Sequence, residues 1–221
     1  MIDIFLSGGP IMYPLLLCSI LSLTVVIEKA LFWLREDRRR DQSLVNEVLE
    51  LCRTGDWEGV RIKTAGSRDY VIRILISGIL HREFSMAKAM ETSAADEVKR
   101  MRRYLGVLDT MITVTPLLGI FGTVLGIIAS FEVLGNMGIE EPQAVTGGIA
   151  QALITTAAGL GIAIFSVFPY NYFTSRVENA VLTIEKYATS LEIVYEKLTQ
   201  HCLSEGPGNE QKARVQATAN G

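Results

Sequence analysis

Three long apolar stretches, at positions 11–34, 108–134 and 145–173, interrupt a chain that is otherwise rich in charge. Each exceeds the ~20 residues that a bilayer crossing requires, so the pattern predicts three transmembrane helices. Between the first two, "SLVNEVLEL" carries Leu44, Val48 and Leu51 at helical spacing, and "RDYVIRILISGIL" carries Val71, Leu75 and Ile79 behind a candidate N-cap at Asp69. These read as short amphipathic helices separated by breaks at "TGDWEG" and "TAGSR". Ahead of the second apolar stretch Met90, Ala94, Val98, Met101, Leu105 and Leu108 recur at three- and four-residue steps, and Val177, Val181, Ile184, Ala188, Leu191, Tyr195 and Leu198 do so after the third. Both runs are coiled-coil-like seams, which predicts helices continuing well past the apolar core. A single helix from about position 86 to about 134 would be roughly 70 Å long, more than twice the hydrocarbon thickness.

Charge placement orients this scheme. Lys29, fifteen basic residues between Arg35 and Arg103, and five from Arg176 onward account for all 21 Lys and Arg. The opening "MIDIFLSGGP" and the stretch between the second and third spans have none. Basic residues near span ends stay on the cytoplasmic side, so the expected topology is N-terminus out and C-terminus in. With no basic n-region, the first span is expected to be retained rather than cleaved as a signal peptide. The expected fold class is an all-α membrane protein whose second and third transmembrane helices extend far into the cytoplasm as a helical bundle. Its expected parts are an outer N-terminus with the first span at 1–34, a cytoplasmic helical region at 35–107, the second span at 108–134 and an outer loop at 135–144. The third span follows at 145–173, then a cytoplasmic helical extension at 174–203 and a disordered tail at 204–221.

Composition adds exclusions. A chain of 221 residues, 49% hydrophobic and with net charge -3, shows no basic stripe with interleaved aromatics, so no nucleic-acid partner is expected. Cys18, Cys52 and Cys202 suggest neither a disulfide framework nor a metal site. His81 and His201 have no ligand spacing, and neither a nucleophile elbow nor a phosphate loop occurs. The expectation is a protein that is not an enzyme, with no metal and no cofactor.

What stands out is the polarity inside the third span, "GGIAQALITTAAGLGIAIF". At ~100° per residue Gln151, Thr155, Gly148, Gly159, Ala152, Ala163 and Thr156 fall within one arc of about 140°, and Ile149, Leu153, Leu160 and Ile164 form a bulky face suited to lipid. The second span offers a matching surface, with Gly119, Gly122 and Gly126 at three- and four-residue steps and Thr123 among them. Small residues let membrane helices approach closely, and Pro116 removes one backbone hydrogen bond near the inner end. Periodicity leaves two roles open for these residues, plain helix packing and a polar-lined pathway, since threonine in such helices commonly bonds its own i-4 carbonyl. Glu28, beside Lys29 near the inner end of the first span, is open to anchoring within snorkelling reach, to pairing with a neighbouring chain or to proton exit. Asp109, at the inner mouth of the second span, is open to receiving protons or to an ion pair with Arg102 or Arg103. Trp33 is expected in the interfacial aromatic belt.

"TVTPLLGIFGTVLGIIASF" in the second span, "GGIAQALITTAAGLGIAI" followed by Tyr170 and Asn171 in the third, and "VIEKALFWLR" at the first-span exit resemble the MotA/TolQ/ExbB proton channel family, closest to its ExbB/TolQ branch. The resemblance implies a homopentamer in the bacterial inner membrane around ExbD/TolR-like single-span partners that supply an intramembrane aspartate. It further implies coupling of the proton gradient to work at the outer membrane through a TonB- or TolA-like protein. By the same resemblance Thr123 and Thr156 match the two threonines facing that aspartate, with Gln151 and Thr155 also expected along the pathway. Gln151 stands where the ExbB/TolQ branch typically has a glutamate, Thr155 where an alanine is usual, and Phe165 where a proline occurs. A glutamine does not take up and release protons, so a relay through a carboxylate of this span is not expected.

Overall fold

The computed structural model describes residues 7–137 and 142–204, and among them there is no strand. Seven helices follow in order: α1 Met12–Arg39, α2 Gln42–Thr54, α3 Trp57–Thr64, α4 Tyr70–Leu80, α5 Met86–Arg102, α6 Leu105–Met137 and α7 Pro142–Ser204. The fold class is therefore the all-α membrane protein that the apolar pattern predicts. Three stretches, Met12–Arg39, Met86–Gly135 and Thr146–Gln200, hold helical windows long and apolar enough to cross a membrane. Of the tail expected at 204–221, all but Ser204 lies outside the described residues, as do 1–6 and 138–141. Around that gap α6 runs on to Met137 and α7 begins at Pro142, so helix occupies much of the loop expected at 135–144.

Residues divide into two compact units, one of Met1–Leu34 with Arg102–Val177 and one of Arg35–Met101 with Glu178–Gly221. In the first, the side chains turned outward are large and apolar: Leu17, Leu23, Leu117, Phe131, Leu153, Ile164 and Phe165 are all exposed in the single chain. That surface suits acyl chains. It encloses apolar side chains such as Leu15, Leu108 and Phe173 together with the small polar ones Ser22, Thr115, Ser130, Thr155 and Ser166. Association of helices in lipid relies on close packing and hydrogen bonds rather than on the hydrophobic effect, which is why small hydroxyl side chains are found among the buried contacts.

The second unit has a conventional apolar core. Val45, Val48, Cys52, Val71, Ile72, Leu75, Met90, Met101 and Leu191 are all at most 2% exposed, each stabilising the fold by about 1.5–3 kcal/mol if its full burial is counted. The inward face of α2 is Val45, Val48 and Cys52, which keeps the expected Val48 but replaces Leu44 and Leu51 by the residues that follow them, because a buried thiol packs as a small apolar group. Aspartates start three of its helices: Asp41 accepts from Leu44 N–H, Asp56 from Gly59 N–H and Asp69 from Val71 N–H, satisfying donors that a helix leaves unpaired. Asp69 does more than cap. Its carboxylate also accepts from Asp41 N–H at 2.9 Å and from the Arg40 guanidinium at 3.0 Å, and that guanidinium lies over Tyr70 and Tyr187.

The helix expected to run unbroken from about 86 to 134 is interrupted. Arg103 and Tyr104 form a turn, and Tyr104 adopts φ 65°, a left-handed conformation costly for a bulky residue and incompatible with continuing the helix. The nearest glycine, Gly106, stands two residues further on, inside α6. By contrast α7 is continuous through Pro169.

Candidate functional site

Helices α6 and α7 meet along the small residues of both. A β-carbon placed on Gly119 would stand 3.0 Å from Thr156 Cα and 3.1 Å from the Thr155 carbonyl oxygen; one on Gly122 would collide with the Thr155 side chain. Toward the C-terminal end of α6, a β-carbon on Gly126 would come 2.8 Å from the Gly148 carbonyl oxygen and 3.0 Å from Ala152 Cβ. Toward its N-terminal end, one on Gly159 would collide with the Thr115 carbonyl oxygen and reach Gly119 Cα at 3.1 Å. Position numbers rise along α6 as they fall along α7, so the pairing is antiparallel, and at each of these steps only hydrogen fits. Pro116, half-buried on α6 next to Thr115, has no N–H to offer the Ile112 carbonyl.

Within this seam the four polar residues expected to share a pathway separate. Thr155 is enclosed, 1% exposed, with its hydroxyl donating to the Ala152 carbonyl at 2.8 Å. Its side chain lies between the two helices, against Gly122. Thr156, half-buried, donates across the contact to the Gly119 carbonyl at 3.0 Å. Thr123, also half-buried, donates to the Ile120 carbonyl at 2.5 Å. Gly122 meets Thr155 and Gly119 meets Thr156, and helical spacing puts Thr123 roughly 40° beyond Gly119 on the side away from Gly122. Thr123 and Thr156 thus occupy the same rim of the seam. Gln151 lies roughly 140° around α7 from Thr156, and its amide sits against Gly9, where a β-carbon would collide with Nε2 and where φ is +68°. It belongs to the opposite rim, beside the turn that precedes α1.

Sequence reasoning passed over a second polar contact, between α1 and α7. Ser22 and Ser166 are both buried with their hydroxyl oxygens 2.5 Å apart, and Ser166 also donates to the Ile162 carbonyl. A cleft of about 560 Å³ opens beside them, reaching Ser19, Phe165 and Pro169. The only signal in the sequence is the serine itself, since neither residue stands in a polar run.

The ionisable candidates fare differently. Glu28 keeps 42% of its side chain exposed and lies 3.6 Å from the Lys29 ammonium, but Lys29 is wholly buried, over the Phe32 ring at 4.9 Å. The protein thus encloses the Lys29 charge next to Glu28. Trp33 is buried, 6% exposed, under the Arg176 guanidinium at 4.8 Å. Asp109 is exposed and forms no salt bridge among the described residues, with Arg102, Arg103 or any other cation.

A family model described as the MotA/TolQ/ExbB proton channel family matches residues 69–186, more than half of the chain and all of this seam. The chain belongs to the MotA/TolQ/ExbB proton channel family. It is a multi-pass membrane protein of a family of proton channels that transduce energy. Within the family it is similar to biopolymer transport protein ExbB-like 1 of Synechocystis sp., 37% identical over 206 residues that cover 90% of this chain and 80% of that protein. ExbB-like 3 of the same organism is 32% identical over 200 residues, covering 87% and 93%. The Tol-Pal system protein TolQ of Pseudomonas aeruginosa is 38% identical over 104 residues, 47% of this chain and 44% of that protein. Against this MotA/TolQ/ExbB background, the seam is a proton-channel family element in which one rim carries two hydroxyls and the other an uncharged amide.

Proposed function

We propose that this chain is the proton-channel subunit of an ExbB/TolQ-type motor, assembled as a homopentamer around ExbD/TolR-like single-span partners. The partner's intramembrane aspartate carries the proton, and the motor drives work or transport at the outer membrane through a TonB- or TolA-like protein. It resides in the bacterial inner membrane with its N-terminus periplasmic and its C-terminus cytoplasmic. The observation that carries this reading is the pair of hydroxyls, Thr123 and Thr156, on one rim of the α6/α7 seam, each already donating to a backbone carbonyl.

A hydroxyl whose proton is committed to a carbonyl still offers two lone pairs. Thr156 therefore accepts from a neutral carboxylic acid without moving, and by rotating its O–H away from the Gly119 carbonyl it donates to an ionised one. Enclosure away from water favours the neutral acid, and contact with water favours the carboxylate. Each proton crossing ~100 mV releases ~2.3 kcal/mol, enough to bias a two-state step several tens-fold. Thr155 holds the helices together in this scheme, and Gln151 fixes the outer end.

Gln151, where a carboxylate is usual in the ExbB/TolQ branch, favours one second reading, a non-conducting scaffold that assembles the same ring around a partner. Proton uptake by liposomes holding the subunit with its single-span partner separates the two. The channel reading expects uptake that depends on the partner's aspartate; uptake no faster than in empty liposomes would establish the scaffold.

A further inference from the structure

Outside the membrane-spanning unit, the turn after α4 presents two large apolar side chains to solvent: Leu80 is 70% and Phe84 92% exposed. The turn itself is well anchored. The Arg82 carbonyl accepts from the Tyr195 hydroxyl at 3.1 Å, and the Arg82 guanidinium stacks on Trp57 at 5.0 Å, with Trp57 in turn edge-on to Tyr195. An exposed phenylalanine on a rigid turn is a preformed anchor that gives up little freedom on docking. Glu83, exposed beside it, forms no ion pair among the described residues.

A receptor of matching character lies on the same unit. A groove of about 690 Å³ runs between α2 and α7, walled by Leu49, Ile193, Val194 and Leu198, with Arg53 and Lys197 at its edges. Its volume accommodates both apolar side chains, and Lys197 offers a cation to the Glu83 carboxylate, while Arg53 is already paired with Glu50 at 3.3 Å. The turn touches α7 at Tyr195, and the groove spans α7 from Ser190 to Leu198, so the anchor's contact falls within the groove's extent along that helix. They are on different sides of it: Tyr195 is roughly 130° around from the mean direction of the groove residues at ~100° per residue. One copy cannot therefore fill its own groove. Two different patches at one height make a head-to-tail contact, and when every copy sits in one membrane plane such contacts close into rings instead of climbing into filaments.

We propose that the Leu80–Phe84 turn of one subunit docks into the α2/α7 groove of the next, with Glu83 facing Lys197, and that this contact sets subunit order in the ring outside the membrane. This rests on the proposed assembly of identical subunits, not on proton conduction. The test uses the full chain with its partner in membranes. Phe84 is replaced by the photo-reactive p-benzoylphenylalanine, adducts are mapped by mass spectrometry, and native mass spectrometry counts the copies. Adducts joining two copies are expected within 49–53 or 193–198. Glu83→Lys is expected to lower their yield about tenfold, and adding Lys197→Glu to restore it. Adducts confined to lipid, to the partner or to other segments of a ring that still assembles would overturn this contact and leave the channel reading standing. A failed charge-swap rescue in an intact ring would do the same. A chain that stays monomeric with its partner present would overturn both.

Discussion

Gly159→Ala puts a single methyl where the seam has no room for one, and Gly161→Ala two residues away serves as its control. At Gly159 the new β-carbon would meet the Thr115 carbonyl oxygen, Gly119 Cα at 3.1 Å and Gly119 N at 3.2 Å; at Gly161 it would meet nothing within 4 Å. Both substitutions gain the same helix propensity, about 1 kcal/mol, so it cancels between them. What remains is overpacking, about 1–3 kcal/mol. The upper end is expected here, because every atom in the way is main chain and cannot rotate aside. Relief by helix separation would also stretch the Thr156 hydroxyl bond to the Gly119 carbonyl, about 0.6 kcal/mol for a typical interhelical bond in a membrane protein. Thermal unfolding in detergent, followed by loss of helical circular dichroism, should place Gly159→Ala roughly 5–10 °C below Gly161→Ala. Gly122→Ala, which meets the Thr155 side chain instead of main chain, should fall between them. Equal midpoints for Gly159→Ala and Gly161→Ala would refute the register in which α6 and α7 are packed.

The opposite-rim placement of Gln151 predicts that Gln151→Glu leaves proton flux within about twofold and its pH dependence unchanged; a new titration in the flux profile would return position 151 to the pathway. In the other unit, Asp69→Ala should cost about 3–5 kcal/mol, because it leaves Arg40 uncompensated, whereas Asp69→Asn, which keeps an acceptor for Val71 N–H, should cost less; equal losses by thermal unfolding would argue against the ion pair. Burial pushes the Cys52 thiol up from its ordinary 9.0 to about 11. Because the folded state holds this proton more tightly than the unfolded chain, the thiol's contribution to stability is complete below about pH 9 and is lost as pH rises from there through 11. Folded protein at pH 8 should leave Cys52 unmodified by maleimide, and rapid labelling would contradict the burial.

Much of the architecture is legible in periodicity. Apolar length marks the three spans, Asp69 marks the start of α4, and the glycines of α6 and the small arc of α7 are evident before either helix has a partner. Three features are not, each for a physical reason. Tyr104 breaks the helix between α5 and α6 although its neighbours continue a heptad-like seam, since a left-handed tyrosine leaves no compositional trace. Lys29 and Trp33 look like interfacial residues because chain position implies solvent, whereas the fold covers one beside Glu28 and Phe32 and the other with Arg176. Adjacent threonines point ~100° apart, and only the position of α6 decides that Thr155 is sealed while Thr156 reaches the rim.

Proton flux through reconstituted complexes carrying Thr156→Val or Thr155→Val tests the central claim most directly, since both changes remove one hydroxyl at nearly constant volume from neighbouring positions. If the rim shared with Thr123 serves the partner's acid, Thr156→Val abolishes flux while the ring still assembles, and Thr155→Val conducts nearly as wild type does. Undiminished flux in Thr156→Val, or equal loss in both variants, would contradict the account.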